Sequence, residues 1–222
     1  MSRYLFLLLY FISFNSFAFD YDPDNGEEIN EVCAGCHGEY AQGGKQGEYP
    51  RLAGLPASYL AEQLKLFRHR KRPNLPMDQY IDDRQMPDED IYDITHYIAA
   101  IKLKTRLPPI DKTAPDFNAY DRLLASHKIM QIPDIKGDLK HGKKLYRREC
   151  SNCHGRNGFG SKKKSIPPLA GQYTAYLWRQ VKLFHKKQRI HDRDDPDDED
   201  LLDDFTHKEL ADIFAWLSTA DD

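Results

Sequence analysis

The chain has little net charge, little sulfur and almost no sustained apolar stretch. Its 222 residues carry 32 Lys+Arg against 35 Asp+Glu, a net charge of -3. That balance excludes nucleic acid as a partner, because no excess of basic surface is available to meet phosphates. A mean hydropathy of -0.72 leaves no membrane domain in the body of the chain. No stretch shows the sustained alternation of a half-buried strand, which excludes sheet-based folds. There are only four cysteines and four methionines, and no methionine lies beyond Cys153.

The one apolar run lies at residues 4–12, behind the single positive side chain of Arg3. Ser13, Asn15 and Ser16 interrupt the chain immediately after it, so the run falls short of the ~20 residues that span a bilayer. Ser16-Phe17-Ala18 is a small-x-small cleavage pattern. Residues 1–18 therefore read as a secretory signal peptide cut after Ala18, leaving no transmembrane segment.

The scarce cysteines are concentrated. Cys33-Ala34-Gly35-Cys36-His37 and Cys150-Ser151-Asn152-Cys153-His154 use all four. C-x-x-C-H is the attachment pattern of c-type haem. Two residues between the thiols set them at two vinyl edges, and the next histidine is placed to take the iron as proximal ligand. A zinc site would need ligands brought together across 117 residues, and it leaves each adjacent histidine unexplained. Covalent attachment through Cys33, Cys36, Cys150 and Cys153 leaves no thiol for disulfides. His37 and His154 become iron ligands, and the cofactors are two haem c groups.

The offset of 117 recurs. Pro50, Tyr59, Gln63 and Lys65 answer Pro167, Tyr176, Gln180 and Lys182, and ten of the eighteen residues in 50–67 match their counterparts. Near the end of each half the offset becomes 119, with Asp93 and Tyr97 answering Asp212 and Trp216. Such self-similarity marks tandem copies of one fold. Each copy reads as helical. Asp138 caps a helix reaching Cys150. Residues 58–71 and 174–187 place Tyr59, Leu60, Leu64 and Phe67, or Tyr176, Leu177, Val181 and Phe184, on one face. The last helix of the second copy opens on a Thr206-x-x-Glu209 capping box with Phe205 as staple, and that of the first opens near Pro87. Residues 19–104 form domain 1, 105–137 a proline-rich linker with a short helix over 117–129, and 138–222 domain 2. A linker this long is expected to pack partly over both domains.

These blocks together resemble the dihaem cytochrome c4 family: two CxxCH motifs, each followed by P-x-L-A-G, Y-L-x-x-Q-x-K-L-F, a basic cluster and a D-I-containing helix. The resemblance covers nearly the whole mature chain. It implies an all-α protein of two class I cytochrome c domains related by a pseudo-twofold. It implies a periplasmic electron carrier with no turnover of its own, serving redox protein partners: donor and acceptor cytochromes, an oxidase or a dehydrogenase, with docking to a membrane complex as one form. It also implies that Tyr97 and Trp216 pack where first and last helices cross. Pro50 and Pro167 would lend carbonyls to the proximal histidines. The alternatives are a cytochrome subunit of a larger oxidoreductase, such as a flavoprotein sulfide dehydrogenase, and an enzyme working at an open second haem. No acid–base pair stands beside the second motif to support the latter.

The family places a methionine opposite the histidine. Met86 answers Phe205 in the repeat and reads as a packing residue. Met77, in the proline-stiffened loop Arg72-Pro-Asn-Leu-Pro-Met, resembles the family's ligand. Domain 2 departs from the family, because Met77 aligns with Asp194 or Pro196. His191 is the leading candidate there, His185 and His207 are others, and an open or water-bound iron is the alternative. The substituting loop is acidic, with nine Asp or Glu among the thirteen residues 192–204. Domain 1 instead has Arg68, Arg70, Lys71 and Arg72 beside its loop. Opposite patches of this kind steer partners. Arg70, Arg72 and Arg189 have the fork geometry to pair with haem propionates.

Overall fold

The computed structural model describes residues 20–104, 107, 109–129, 132–191 and 196–220. The expected signal peptide lies outside them, as do Asp192, Asp194 and Asp195 of the acidic loop. Among the described residues the regular structure is helical, with three isolated bridges and no strand. No helix among them is long and apolar enough to cross a membrane.

Domain 1 begins with α1 (Pro23–His37), whose Asp22 side chain accepts from the Asp24 and Asn25 amides while Pro23 starts the first turn. These contacts satisfy donors that a bare helix end leaves unpaired. Next come α2 (Ala57–Arg68), the one-turn α3 (Leu75–Asp78) and α4 (Asp88–Ala100). The linker carries α5 (Ala119–His127), capped by Asn118. Domain 2 holds α6 (Leu139–Glu149) and α7 (Ser151–His154), which together answer α1, then α8 (Thr174–His185), a 3-10 stretch Pro196–Asp204 and α9 (His207–Ser218). Its last helix closes the capping box in both directions: the Glu209 amide donates to Thr206 Oγ1 at 3.3 Å, and the Thr206 amide to Glu209 Oε2 at 2.9 Å.

The two long middle helices end earlier than their apolar pattern predicts. Arg70 and Lys187, 117 residues apart, take left-handed φ values of 56° and 53°. The amides of the next residues, Lys71 and Gln188, turn back onto the Leu66 and Leu183 carbonyls at 2.9 Å each. This is a Schellman closure made without glycine. Domain 2 also breaks its first helix at Cys150, whereas domain 1 runs unbroken through Cys33 and Cys36.

In each domain the first helix crosses the last. A Cβ on Gly26 would stand 2.8 Å from Tyr97 Cβ and 2.9 Å from the Asp93 carbonyl, and a Cβ on Gly142 would overlap the Asp212 carbonyl. Tyr97 and Trp216 do sit at these crossings: Trp216 packs on Tyr146 at 4.7 Å between ring centroids. Around them are the cores, Leu60, Ile94 and Ile98 in domain 1 and Leu145, Leu177, Ile213 and Leu217 in domain 2. Each such side chain contributes ~1.5–3 kcal/mol by leaving water. The linker rests Ile132 on the first core and Ile135 on the second.

A carboxylate pins each crossing. Asp93 Oδ1 accepts from the Asp22 amide and Asp212 Oδ1 from the Asp138 amide, both at 2.9 Å. Asp212 also accepts from His141 Nδ1 at 2.9 Å and Lys208 Nζ at 2.8 Å. The His141 hydrogen bond, then that of Lys208, then the Asp138 amide hold the Asp212 carboxyl far below its ordinary range. The unfolded chain therefore binds a proton that the folded chain refuses. Stability from this group is present above the unfolded value near ~3.9 and is lost as pH falls further. Asp212→Asn is expected to flatten the acid side of the stability curve. Melting temperatures between about pH 6 and pH 2 check this, and an unchanged slope contradicts it.

Candidate haem sites

His37 closes α1 and His154 closes α7, and in both a glycine with positive φ comes next (Gly38 at 81°, Gly155 at 79°). The chain then turns back so that His37 Nδ1 meets the Pro50 carbonyl at 3.0 Å and His154 Nδ1 the Pro167 carbonyl at 2.9 Å. A carbonyl only accepts, so Nδ1 carries the proton in both rings. Nε2 keeps its lone pair, and the hydrogen bond makes it a better donor to a metal. Burial pulls the His37 pKa below its ordinary value, although the Pro50 bond opposes it. The imidazole is thus neutral, the state that binds iron.

No disulfide joins the four cysteines, and all four face one cavity. Burial raises the Cys33 thiol to about 11, so it is not a ready thiolate. The cavity measures about 1720 Å³ and runs through both domains. A single small-molecule site takes roughly 300–1,000 Å³, so the space suits two large flat groups. Its walls include Leu60, Leu64, Phe67 and Ile94 from domain 1 and Leu177, Val181, Phe184 and Phe214 from domain 2. Among the described residues, no three of His, Cys, Asp and Glu converge to hold a metal ion by themselves. An iron here would come inside its own macrocycle.

Met77, in α3, lines the cavity and is half-buried against the cluster of Phe67, Ile81, Met86 and Ile91. Met86 is 7% exposed and lies within that cluster. In domain 2 the His191 ring stands 6.0 Å from the His154 ring, centroid to centroid, with its edge on Phe184 at 5.3 Å. His185 and His207 do not line the cavity. His185 Nε2 lies near the Leu202 carbonyl and Asp203, and His207 stacks on Trp178 at 4.3 Å.

The three arginines separate. Arg70 is on the surface, paired with Asp78. Arg72 is buried and Arg189 half-buried where the domains meet, and both line the cavity. Neither forms an ion pair with an aspartate or glutamate among the described residues; their partners are Tyr59, Gln63, Tyr176 and Gln180. Two cations drawn back from water without a carboxylate, one of them buried, are costly unless an anion is supplied. Haem propionates would meet that need, so the donor set, the cavity and the charge all fit two haem groups. This junction was hidden in the sequence although its signal was present. Tyr59, Gln63 and Arg72 have counterparts at the 117 offset, but repetition alone reads equally as packing inside each copy.

The Cytochrome c family profile matches residues 23–102 and again 139–221. The chain belongs to the cytochrome c family, in its dihaem cytochrome c4 branch. It carries two covalently bound haem c groups and works in electron transfer. Cytochrome c4 of Pseudomonas aeruginosa is 25% identical over 88% of this chain and 87% of its own length. A protein of Stutzerimonas stutzeri named thiosulfate dehydrogenase electron acceptor is 33% identical, over 74% of this chain and 68% of its own. In fold, the crystal structure of reduced cytochrome c4 from Pseudomonas stutzeri superposes with a TM-score of 0.65, at 22% identity, covering 90% of this chain and all of that one.

Proposed function

We propose that this dihaem cytochrome is an exported, periplasmic electron carrier whose two haems are ligated differently. Residues 19–104 hold haem 1 through Cys33 and Cys36, with His37 and Met77 on its two faces. Residues 138–222 hold haem 2 through Cys150 and Cys153, with His154 and His191. Bound haem supplies a one-electron iron couple.

The 6.0 Å separation of the His154 and His191 rings carries this reading. Two imidazoles on opposite faces of one metal, with metal–nitrogen bonds of about 2 Å, place their centroids roughly 6–6.5 Å apart. His191 therefore already stands at ligand distance from its partner. The Met77 thioether raises the potential of its haem, whereas a second imidazole does not. The pair is thus unequal, and an electron entering at domain 2 runs downhill to domain 1. A potentiometric titration of the holoprotein is expected to show two separated one-electron waves. Two waves of equal, high potential would sink the proposal.

The Stutzerimonas relative's name favours one class of donor, a sulfur-compound dehydrogenase. Under that reading the chain serves as acceptor for such an enzyme or as its cytochrome subunit. Co-purification with a second chain separates the subunit from the free carrier.

A further inference from the structure

Arg72 and Arg189 do more than sit at the junction. Arg72 Nη1 donates to Gln63 Oε1 of its own domain at 2.6 Å, and its Nη2 reaches across to Tyr176 OH at 3.1 Å and Gln180 Oε1 at 2.8 Å. Arg189 Nη1 donates to Gln180 Oε1 at 2.7 Å, and its Nη2 crosses the other way to Tyr59 OH at 2.8 Å. Each guanidinium also lies over a phenylalanine of its own domain, Phe67 at 4.6 Å and Phe184 at 4.7 Å. The two arginines, the glutamines, the tyrosines and the phenylalanines are all related by the same offset of 117. The junction is a pseudo-twofold cross-over.

The position of each arginine in the chain gives the cross-over a purpose. The Arg72 and Arg189 amides bond the Leu66 and Leu183 carbonyls at 3.1 and 3.2 Å, which fixes the backbone just past each helix end. The next residues lead directly to the distal side. Met77 comes five positions after Arg72, and His191 two positions after Arg189. The stem of each distal loop is therefore held at its backbone by its own domain, and at its guanidinium by its own domain through Nη1 and by the other through Nη2.

We propose that the domains position each other's distal ligands: Tyr59 of domain 1 holds the His191 stem through Arg189, and Tyr176 and Gln180 of domain 2 hold the Met77 stem through Arg72. Arg72 and Arg189 are positioning residues. They act on the iron through the loops they anchor and, being cationic, balance the propionates as well. The proposal rests on the ligation given above. It makes the junction a coupling device, because loosening one domain's tyrosine is felt at the other domain's haem.

The test is a crossed comparison on holoprotein with both haems attached. Tyr59→Phe is expected to speed binding of added imidazole or carbon monoxide at haem 2 by about tenfold, the worth of one hydrogen bond to a charged donor. Haem 1 stays unchanged. Tyr176→Phe is expected to do the reverse, weakening the methionine band of haem 1. Arg189→Lys keeps the charge but loses the fork, and is expected to behave like Tyr59→Phe. If Arg189→Lys matches the wild type, charge alone matters and the positioning role fails. Effects confined to the haem of the mutated domain, or to neither, also overturn it. The wild-type spectrum judges the ligation separately: a haem 2 without a bis-histidine signature refutes that reading, while a crossed response of the variants would still support the clamp.

Discussion

His191→Ala is expected to convert haem 2, half of the haem in the protein, from a six-coordinate low-spin state to a high-spin or exchangeable one, with haem 1 unaffected. The reason is geometric. The His154 side is fixed by its Pro167 bond, so the imidazole cannot follow a missing partner across the cavity. No methionine exists in this half to replace the lost ligand. His185 and His207 are held outside the cavity by the α8–Leu202 contact and by the Trp178 stack. His191→Met should restore a low-spin haem and add a second methionine band in the near infrared, with a raised potential. Electron paramagnetic resonance of the oxidised variants reads both outcomes. An alanine variant with an unaltered low-spin signal would show that another group ligates haem 2.

Gly142→Ala should cause an unusually large loss of stability for one added methyl group. Alanine is the better helix former by about 1 kcal/mol, so at an open site it would stabilise α6. Here the new Cβ would overlap the Asp212 carbonyl, which is backbone and cannot swing aside. Asp212 is further tied by the Asp138 amide, His141 and Lys208. Forcing the helices apart at such a contact costs typically 1–3 kcal/mol and occasionally more. The overlap is with fixed backbone, so the upper end applies and outweighs the propensity gain. The net loss of about 2 kcal/mol corresponds to a fall of roughly 8–16 °C in the melting temperature of a domain this size. Differential scanning calorimetry of the holoprotein checks it. A variant as stable as the wild type would mean that the crossing is looser than described.

Most of the architecture could be read from residues alone, because its signals are local. Asp138, Thr206 and Glu209 announce helix starts through their own side chains, and the tandem offset matches α8 and α9 to α2 and α4. The helix stops were harder. Arg70 and Lys187 end α2 and α8 in a left-handed conformation that usually selects glycine, so nothing in their chemistry marks the turn. The break at Cys150 is equally silent.

For the site, the motifs identified what is held, and the carbonyls of Pro50 and Pro167 lie where the family resemblance put them. Spacing in the repeat put His191 ahead of His185 and His207, but only the folded loop decides which ring faces the cavity. The junction was the least visible part. Arg72 and Arg189 each meet a tyrosine more than a hundred residues away, and an internal repeat hides such pairing by offering an equivalent partner in the same copy. Arg70, grouped with them on residue type, turned out to serve Asp78 at the surface.

The central claim is that one duplicated device has been rebuilt on a single face of one iron. Low-temperature electron paramagnetic resonance with near-infrared absorption, on the oxidised holoprotein, tests it most directly. One histidine–methionine signal and one bis-histidine signal are expected, in equal amounts. Two histidine–methionine signals, or a high-spin signal from half of the haem, would contradict it.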